Sequence, residues 1–327
     1  MPHGIKPKLQ SRRSKIWQRI LSGLSLLICL VAIAAVYQGL KDTDWPLVWA
    51  NLNQISLGKL ALTLIFVACS YGAIACYDVL AFRYIRQKLA LRKIMFAGLI
   101  TYAISPNVGF AFLSGGVLRY RLYRHWQISN LAIAKIIAFT NASLWVGLIP
   151  IAGFVFVITE FSLPEALGDS SFLLISPPEL GVIFLGIAAI YVLIVRYVPQ
   201  PLRWRQYSLE LPSLQLTLQQ ITVFVFDWGF AALALHFLLG NPIKFPFFFG
   251  VYVIAMVMGL ISSIPGGLGV FETVIIFFLE PLQTQENMLA ALIVFRCLYY
   301  FLPFTIAVFS LIGFEVRQRV NELPQKK

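Results

Sequence analysis

Apolar residues run along this chain in long blocks separated by short polar stretches, and most of the blocks are long enough to cross a bilayer. A spanning helix needs about 20 predominantly apolar residues to cross about 30 Å of hydrocarbon. Eight blocks are predicted as crossings, at residues 20–40, 60–82, 131–158, 180–198, 216–239, 245–264, 268–282 and 289–314, of which the fourth and seventh are short. A ninth, 94–118, carries no charge but is broken by Pro106, Gly109, Gly115 and Gly116. A further break lies at SSIPGGLGVFE, 262–272, where Pro265, Gly266, Gly267 and Gly269 separate two short helices.

Composition agrees with this pattern. Of 327 residues 59% are hydrophobic and 12% charged, an apolar excess beyond what one soluble core hides. The net charge of +12 raises nucleic acid as a partner, but the basic residues sit between apolar blocks rather than on one face, which excludes it. Cys29, Cys69, Cys76 and Cys297 all fall inside apolar blocks without metal spacing, so they read as small packing residues.

Where the basic residues lie sets the topology, because Lys and Arg in short loops stay on the cytoplasmic side. Six precede residue 20, five lie in 83–93, three in 119–124, three in 196–205 and four follow residue 314. Asp42 and Asp44, then Glu160, Glu165, Asp169 and Glu179, and later Glu280 and Glu286, mark the other side. Both termini are therefore expected in the cytoplasm, with 1–19 a basic tail, 20–314 one transmembrane domain and 315–327 a second tail. The small-x-small pattern Ala32-Ile33-Ala34 suggests a cleavage site, but the apolar run continues to Leu40, which favours an uncleaved first span. No soluble catalytic domain is expected after the last span.

Both flanks of 94–118 then face the cytoplasm, so this block crosses an even number of times. Two full crossings need about 60 Å of helix, whereas its residues supply only about 37 Å at 1.5 Å each. A re-entrant hairpin fits, with tips at Pro106, Asn107 and Gly109. Its broken backbone hydrogen bonds need shelter in protein or a water-filled cavity. The break at Pro265, Gly266 and Gly267 has the opposite orientation, and PNVGFAF at 106–112 echoes PGGLGVF at 265–271, which suggests an inverted repeat. Paired Pro/Gly interruptions point to a transport site near the bilayer midplane, while the alternative is two ordinary proline kinks.

Five ionisable residues fall within apolar blocks: Asp78, Lys135, Asp227, Glu272 and Arg296. A charge at a helix centre costs about 2.5 to 3.5 kcal/mol on insertion scales, so such residues usually meet a partner, a cavity or a pathway. Asp78 and Lys135 lie near cytoplasmic ends, where they can snorkel, and read as structural. Asp227, Glu272 and Arg296 lie deeper and form a candidate polar route, although Glu272 and Arg296 can instead neutralise each other. Arg119, Arg121 and Arg124 follow the first hairpin in SGGVLRYRLYR, interleaved with Tyr120 and Tyr123. They read either as an interfacial anchor or as a head-group seat in which Arg119 and Arg121 join Ser114, Gly115 and Gly116.

Enzyme readings are thin. Ser114 with His236 invites a serine protease, but nothing in the sequence shows that they meet. Tyr77-Asp78 with Gly267-Leu268-Gly269 resembles part of an aspartyl protease motif, yet position 270 is Val where a second carboxylate is needed. No HExxH, phosphate-loop or dinucleotide motif is present, and three histidines do not cluster. No catalytic residue, metal or cofactor is assigned.

GGVLRYRLY at 115–123 and IPGGLGVFE at 264–272 resemble the flippase-like transmembrane region of the lysylphosphatidylglycerol synthase family, over nearly the whole chain. The resemblance implies an all-helical plasma-membrane protein of about eight spans that moves a phospholipid or lipid-linked anion between leaflets. It implies no synthase activity, since in the family that chemistry belongs to a cytoplasmic aminoacyl-transfer domain. The alternatives are a non-catalytic membrane partner of a lipid-modifying enzyme and a small-solute or ion carrier. With the interior negative, one anionic charge moving outward gains about 2.3 kcal/mol per 100 mV, whereas inward movement needs coupling, for which Asp227 or Glu272 is a protonatable candidate.

Overall fold

A computed structural model describes residues 43–109, 111–159, 176–204, 207–240, 243–280 and 282–322. The expected first span, the Ala32-Ile33-Ala34 site and the acidic residues Asp42, Glu160, Glu165 and Asp169 lie outside the described residues. The helices are α1 (Trp45–Gln54), α2 (Leu57–Tyr84), α3 (Leu91–Val108), α4 (Ala111–His125), α5 (Asn130–Ile158), α6 (Pro177–Tyr197), α7 (Leu214–Leu239), α8 (Phe245–Ser262), α9 (Val270–Leu279), α10 (Gln285–Phe295) and α11 (Leu302–Glu322). A π-helical turn, Arg296–Phe301, joins α10 to α11. A short antiparallel ladder, β1 (Leu202–Trp204) on β2 (Tyr207–Leu209), lies in the loop after α6.

Helix starts follow local chemistry. Ser56, Ser129 and Ser213 each accept a backbone N–H from the first turn of α2, α5 and α7 at 3.3 Å, satisfying donors the helix leaves open. Among the described residues six helical stretches are long and apolar enough to cross a membrane, so the chain is a multi-pass membrane protein of the all-α class, with the short ladder confined to a loop. The block at 268–282 differs from expectation. Its helix, α9, has only 10 residues, about 15 Å, because left-handed residues at Ser263, Gly266, Gly267 and Gly269 fill the segment before it. It is a half-helix packed back on α8 rather than a crossing.

The block at 94–118 folds as a helical hairpin: α3 and α4 pack together and reverse at Gly109, whose φ of +84° favours glycine. Among the described residues three buried clusters fill the interior: one is built from α2–α5 and touches α11, a second from α7–α10 and the π turn with residues of α2 and α5, and a small third joins Val48 of α1 to Leu289 and Ala290 of α10. Residues Val182, Ile183, Ile187, Ile190 and Leu193 of α6 are exposed, as a lipid-facing surface requires. Cys69 and Cys297 also lie exposed, which corrects the expectation that they pack inside; their helices turn that side outward.

Small residues set the closest helix approaches, as in other membrane bundles. A Cβ on Gly181 of α6 would lie 2.8 Å from the carbonyl oxygen of Gly153 of α5. One on Gly147 of α5 would lie 2.3 Å from Cβ and Cγ of Phe224, a fully buried ring of α7. Gly147→Ala is therefore expected to force α5 from α7 and destabilise the protein by about 1–3 kcal/mol, read as a lower melting temperature in detergent, whereas Gly186→Ala, which meets nothing within 4 Å, leaves it unchanged.

Candidate functional site

The two interrupted segments meet. A Cβ placed on Gly109 would lie 3.2 Å from Cγ of Pro265, so the reversal of the first hairpin abuts the break before α9. Beside this contact lies a cavity of about 300 Å³, with walls from α2, α3, α4, α5, α7, α8 and the π turn. Pro106, Gly109, Gly266 and Gly267 line it, as do Arg119 and Asp227. Much of the remaining wall is aromatic: Tyr71, Tyr77, Tyr102, Tyr252, Tyr299 and Tyr300.

Hydrogen bonds within the first tip fix its shape. Asn107 Nδ2 donates to the Ala103 carbonyl at 2.9 Å, and Ser114 Oγ donates to the carbonyls of Ser105 at 3.3 Å and Gly109 at 3.2 Å. Gly115 allows α4 close to α3, since a Cβ there would lie 3.1 Å from Ser105 Oγ and 3.3 Å from Thr101 Cγ2. Gly116 faces Ile137 of α5.

Arg119 lies one turn beyond Gly115 and is 3% exposed. Its Nε and Nη2 donate to Asp78 Oδ1 and Oδ2 at 3.0 and 2.8 Å, a bidentate fork, and its guanidinium lies 4.7 Å from the Tyr102 ring centroid. Tyr123 also donates to Asp78 Oδ1, at 2.7 Å. Asp78 thus does not snorkel; it is fully buried because the hairpin folds back beside α2 and brings Arg119 over it. Lys135 is exposed. Arg121 and Arg119 separate: the Arg121 side chain is 62% exposed and pairs with Glu315 of α11 at 2.8 Å.

The second break is clamped by Glu272. Its Oε2 accepts the Gly269 N–H at 2.8 Å and its Oε1 accepts Arg296 Nε at 2.5 Å, so these two residues form the ion pair. Arg296 Nη1 donates to the Gly266 carbonyl, and the guanidinium sits 4.5 Å from the Tyr300 centroid and 5.3 Å from that of Phe271. Asp227 is 5% exposed and accepts Ser70 Oγ at 2.9 Å; Ser70 in turn lies 3.1 Å from the Tyr299 hydroxyl. His236 Nε2 lies 2.8 Å from the Ile243 carbonyl among aromatic rings, a packing position.

Sequence reasoning missed the tyrosine wall and the π turn that presents Tyr299 and Tyr300. The six tyrosines come from four separate elements, so no local spacing announces them, and a π turn has no residue signature of its own.

No protein-family model matches the chain. It is 39% identical over 316 residues to the uncharacterized protein slr0712 of Synechocystis sp., covering 95% of this chain and 97% of that protein. It is 31% identical over 300 residues to the inner membrane protein YbhN of Escherichia coli, covering 90% of this chain and 92% of YbhN. A phosphatidylglycerol lysyltransferase of Staphylococcus aureus is 24% identical over 305 residues, which are 91% of this chain but only 34% of the enzyme's length. With near full-length likeness to YbhN and slr0712, this chain belongs to their family of multi-pass membrane proteins, built on the transmembrane region of the lysylphosphatidylglycerol synthase family.

Proposed function

We propose that this protein moves a phospholipid or lipid-linked anion between the leaflets of the plasma membrane, with both termini in the cytoplasm. The observation that carries the reading is the contact of Gly109 with Pro265 beside a cavity holding Arg119 and Asp227. Interrupted helices at membrane depth are tolerated where they line a cavity, and such breaks build substrate sites in transporters. Arg119 and the tip of the first hairpin receive the head group, and Asp227, with the Glu272–Arg296 pair behind the second tip, continues the polar path. Ser114 acts in holding the hairpin rather than as a nucleophile, since its hydroxyl donates to backbone carbonyls.

Phosphatidylcholine vesicles containing the purified protein and a trace of phosphatidylglycerol labelled on its acyl chain test this. Added dithionite is expected to quench label from both leaflets in protein-containing vesicles and from the outer leaflet alone in empty ones. Equal protection in both would end the reading. Uptake of radiolabelled glycerol 3-phosphate without lipid movement would favour a solute carrier instead. The lysyltransferase, in which the matched region is a third of the length, supports a second reading as a membrane partner of a lipid-modifying enzyme, for which stable co-purification with such an enzyme is the test.

A further inference from the structure

The charged side chains in and beside the cavity leave one without an opposite among the described residues. Arg119 is matched by Asp78 and Arg296 by Glu272, each pair in direct contact. Asp227 has no such match among the described residues: its hydrogen-bond partners are the neutral hydroxyls of Ser70 and Tyr77. The titratable groups facing it are phenols, Tyr71 and Tyr77 from α2, Tyr102 from α3, Tyr252 from α8, and Tyr299 and Tyr300 from the π turn. From α4 only Arg119 lines the cavity with a charge, and it is already forked onto Asp78; α5 contributes Thr140, Asn141 and Leu144, none of which titrates.

Two further groups point to a ligand. The Tyr252 hydroxyl and Thr101 Oγ1 have no hydrogen-bond partner among the described residues, and the residues that carry them, 0% and 1% exposed, line the same cavity. Buried hydroxyls without partners are unusual in folded proteins, and both are neutral donors suited to a phosphate oxygen. A phosphate taken up by these donors shares a low-dielectric space with Asp227, where two negative charges repel far more strongly than in water. An anion and a charged Asp227 therefore exclude each other, whereas a proton on Asp227 removes the conflict.

We propose that Asp227 is a proton-binding site, occupied whenever a head-group phosphate occupies the cavity, so that one proton crosses the membrane with each phosphate. This rests on the transport reading above and deepens it. Because binding linkage is reciprocal, phosphate entry favours proton uptake from the water on that side, and release on the other side favours proton loss. A singly charged phosphodiester with one proton moves no net charge, so its distribution answers to the pH difference and not to the voltage.

The vesicles described above, prepared with an interior one pH unit more acidic than the medium, provide the test. Labelled phosphatidylglycerol is expected to follow the proton outward, to an outer-to-inner ratio approaching tenfold for one proton per lipid, and a potassium diffusion potential is expected to leave that ratio unmoved. In Asp227→Asn the ratio, whatever the absolute rate, is expected to lose its response to pH and gain one to voltage. A wild-type distribution that ignores the pH difference, or follows voltage alone, overturns the proposal even where the variant does not fold. If the wild-type protein moves no lipid, the transport reading and the coupling fall together. Infrared spectra then decide the site itself: a protonated-carboxyl band that phosphatidylglycerol brings up in the wild type and not in Asp227→Asn upholds it, and spectra that phosphatidylglycerol leaves unchanged remove it.

Discussion

Replacing Arg119 by alanine is expected to destabilise the protein by about 3–5 kcal/mol, because it removes one member of a buried, bidentate ion pair and leaves the other behind. Asp78 is 0% exposed, and without the guanidinium its carboxylate keeps only the Tyr123 hydroxyl among the donors described here. The stacking of Arg119 on Tyr102 goes as well. For a chain of this size a loss of that order lowers the melting temperature by on the order of 10 °C. Arg121→Ala supplies the contrast: its ion pair with Glu315 is largely exposed, and such pairs contribute about 0–1 kcal/mol. Arg119→Lys keeps the charge but not the fork and should fall between the two. The double variant Asp78→Asn with Arg119→Met leaves no unpaired charge and should recover most of the stability, since uncharged replacements for a buried pair are often neutral. If lipid movement fails to return with stability, Arg119 acts on the head group and does not merely brace α4. Melting temperatures for Arg119→Ala and Arg121→Ala that agree within about 2 °C would mean that the pair contributes no more than a surface contact.

The same residues show which parts of this architecture can be read from sequence. Long apolar blocks and the placement of Lys and Arg are local properties, so α2, α5, α6, α7 and α8 are legible one segment at a time. The reversal in 94–118 is legible because its length is too great for one crossing and too small for two. Depth within a block is a poorer guide. Asp78, near the end of α2, reads as a residue that can snorkel, yet the returning hairpin buries it completely. Arg119 and Arg121 read as one basic cluster, but residues two apart on a helix point to different sides, so one enters the cavity and the other reaches α11. Glu272 and Arg296 form the pair that charge neutrality suggests; what sequence does not reveal is that the pair also holds the Gly266 carbonyl and the Gly269 N–H, and so shapes the break itself.

That break makes Gly267→Ala the second severe substitution expected. Gly267 has a φ of +60°, where an alanine costs about 1–2 kcal/mol, and its added Cβ would lie 2.9 Å from Cα of Gly259. The obstacle is backbone of α8, not the end of a flexible side chain, so the turn or the helix has to move, at a further cost of about 1–3 kcal/mol. Gly266→Ala is the control for strain alone. Its φ of +62° is nearly the same, but its Cβ would meet Arg296 Nη1 at 3.2 Å, an atom on a long side chain. The difference in melting temperature between the two variants therefore measures how closely the break is pressed onto α8. Moving the break also moves Pro265 away from Gly109 and alters the wall formed by Gly266 and Gly267, so Gly267→Ala should abolish lipid movement in protein that still purifies folded. Pairing it with Gly259→Ala should not rescue it, because that substitution adds bulk to the same contact. A Gly267→Ala protein that melts with the wild type and moves lipid at the same rate would show that the second tip neither rests on α8 nor borders the path.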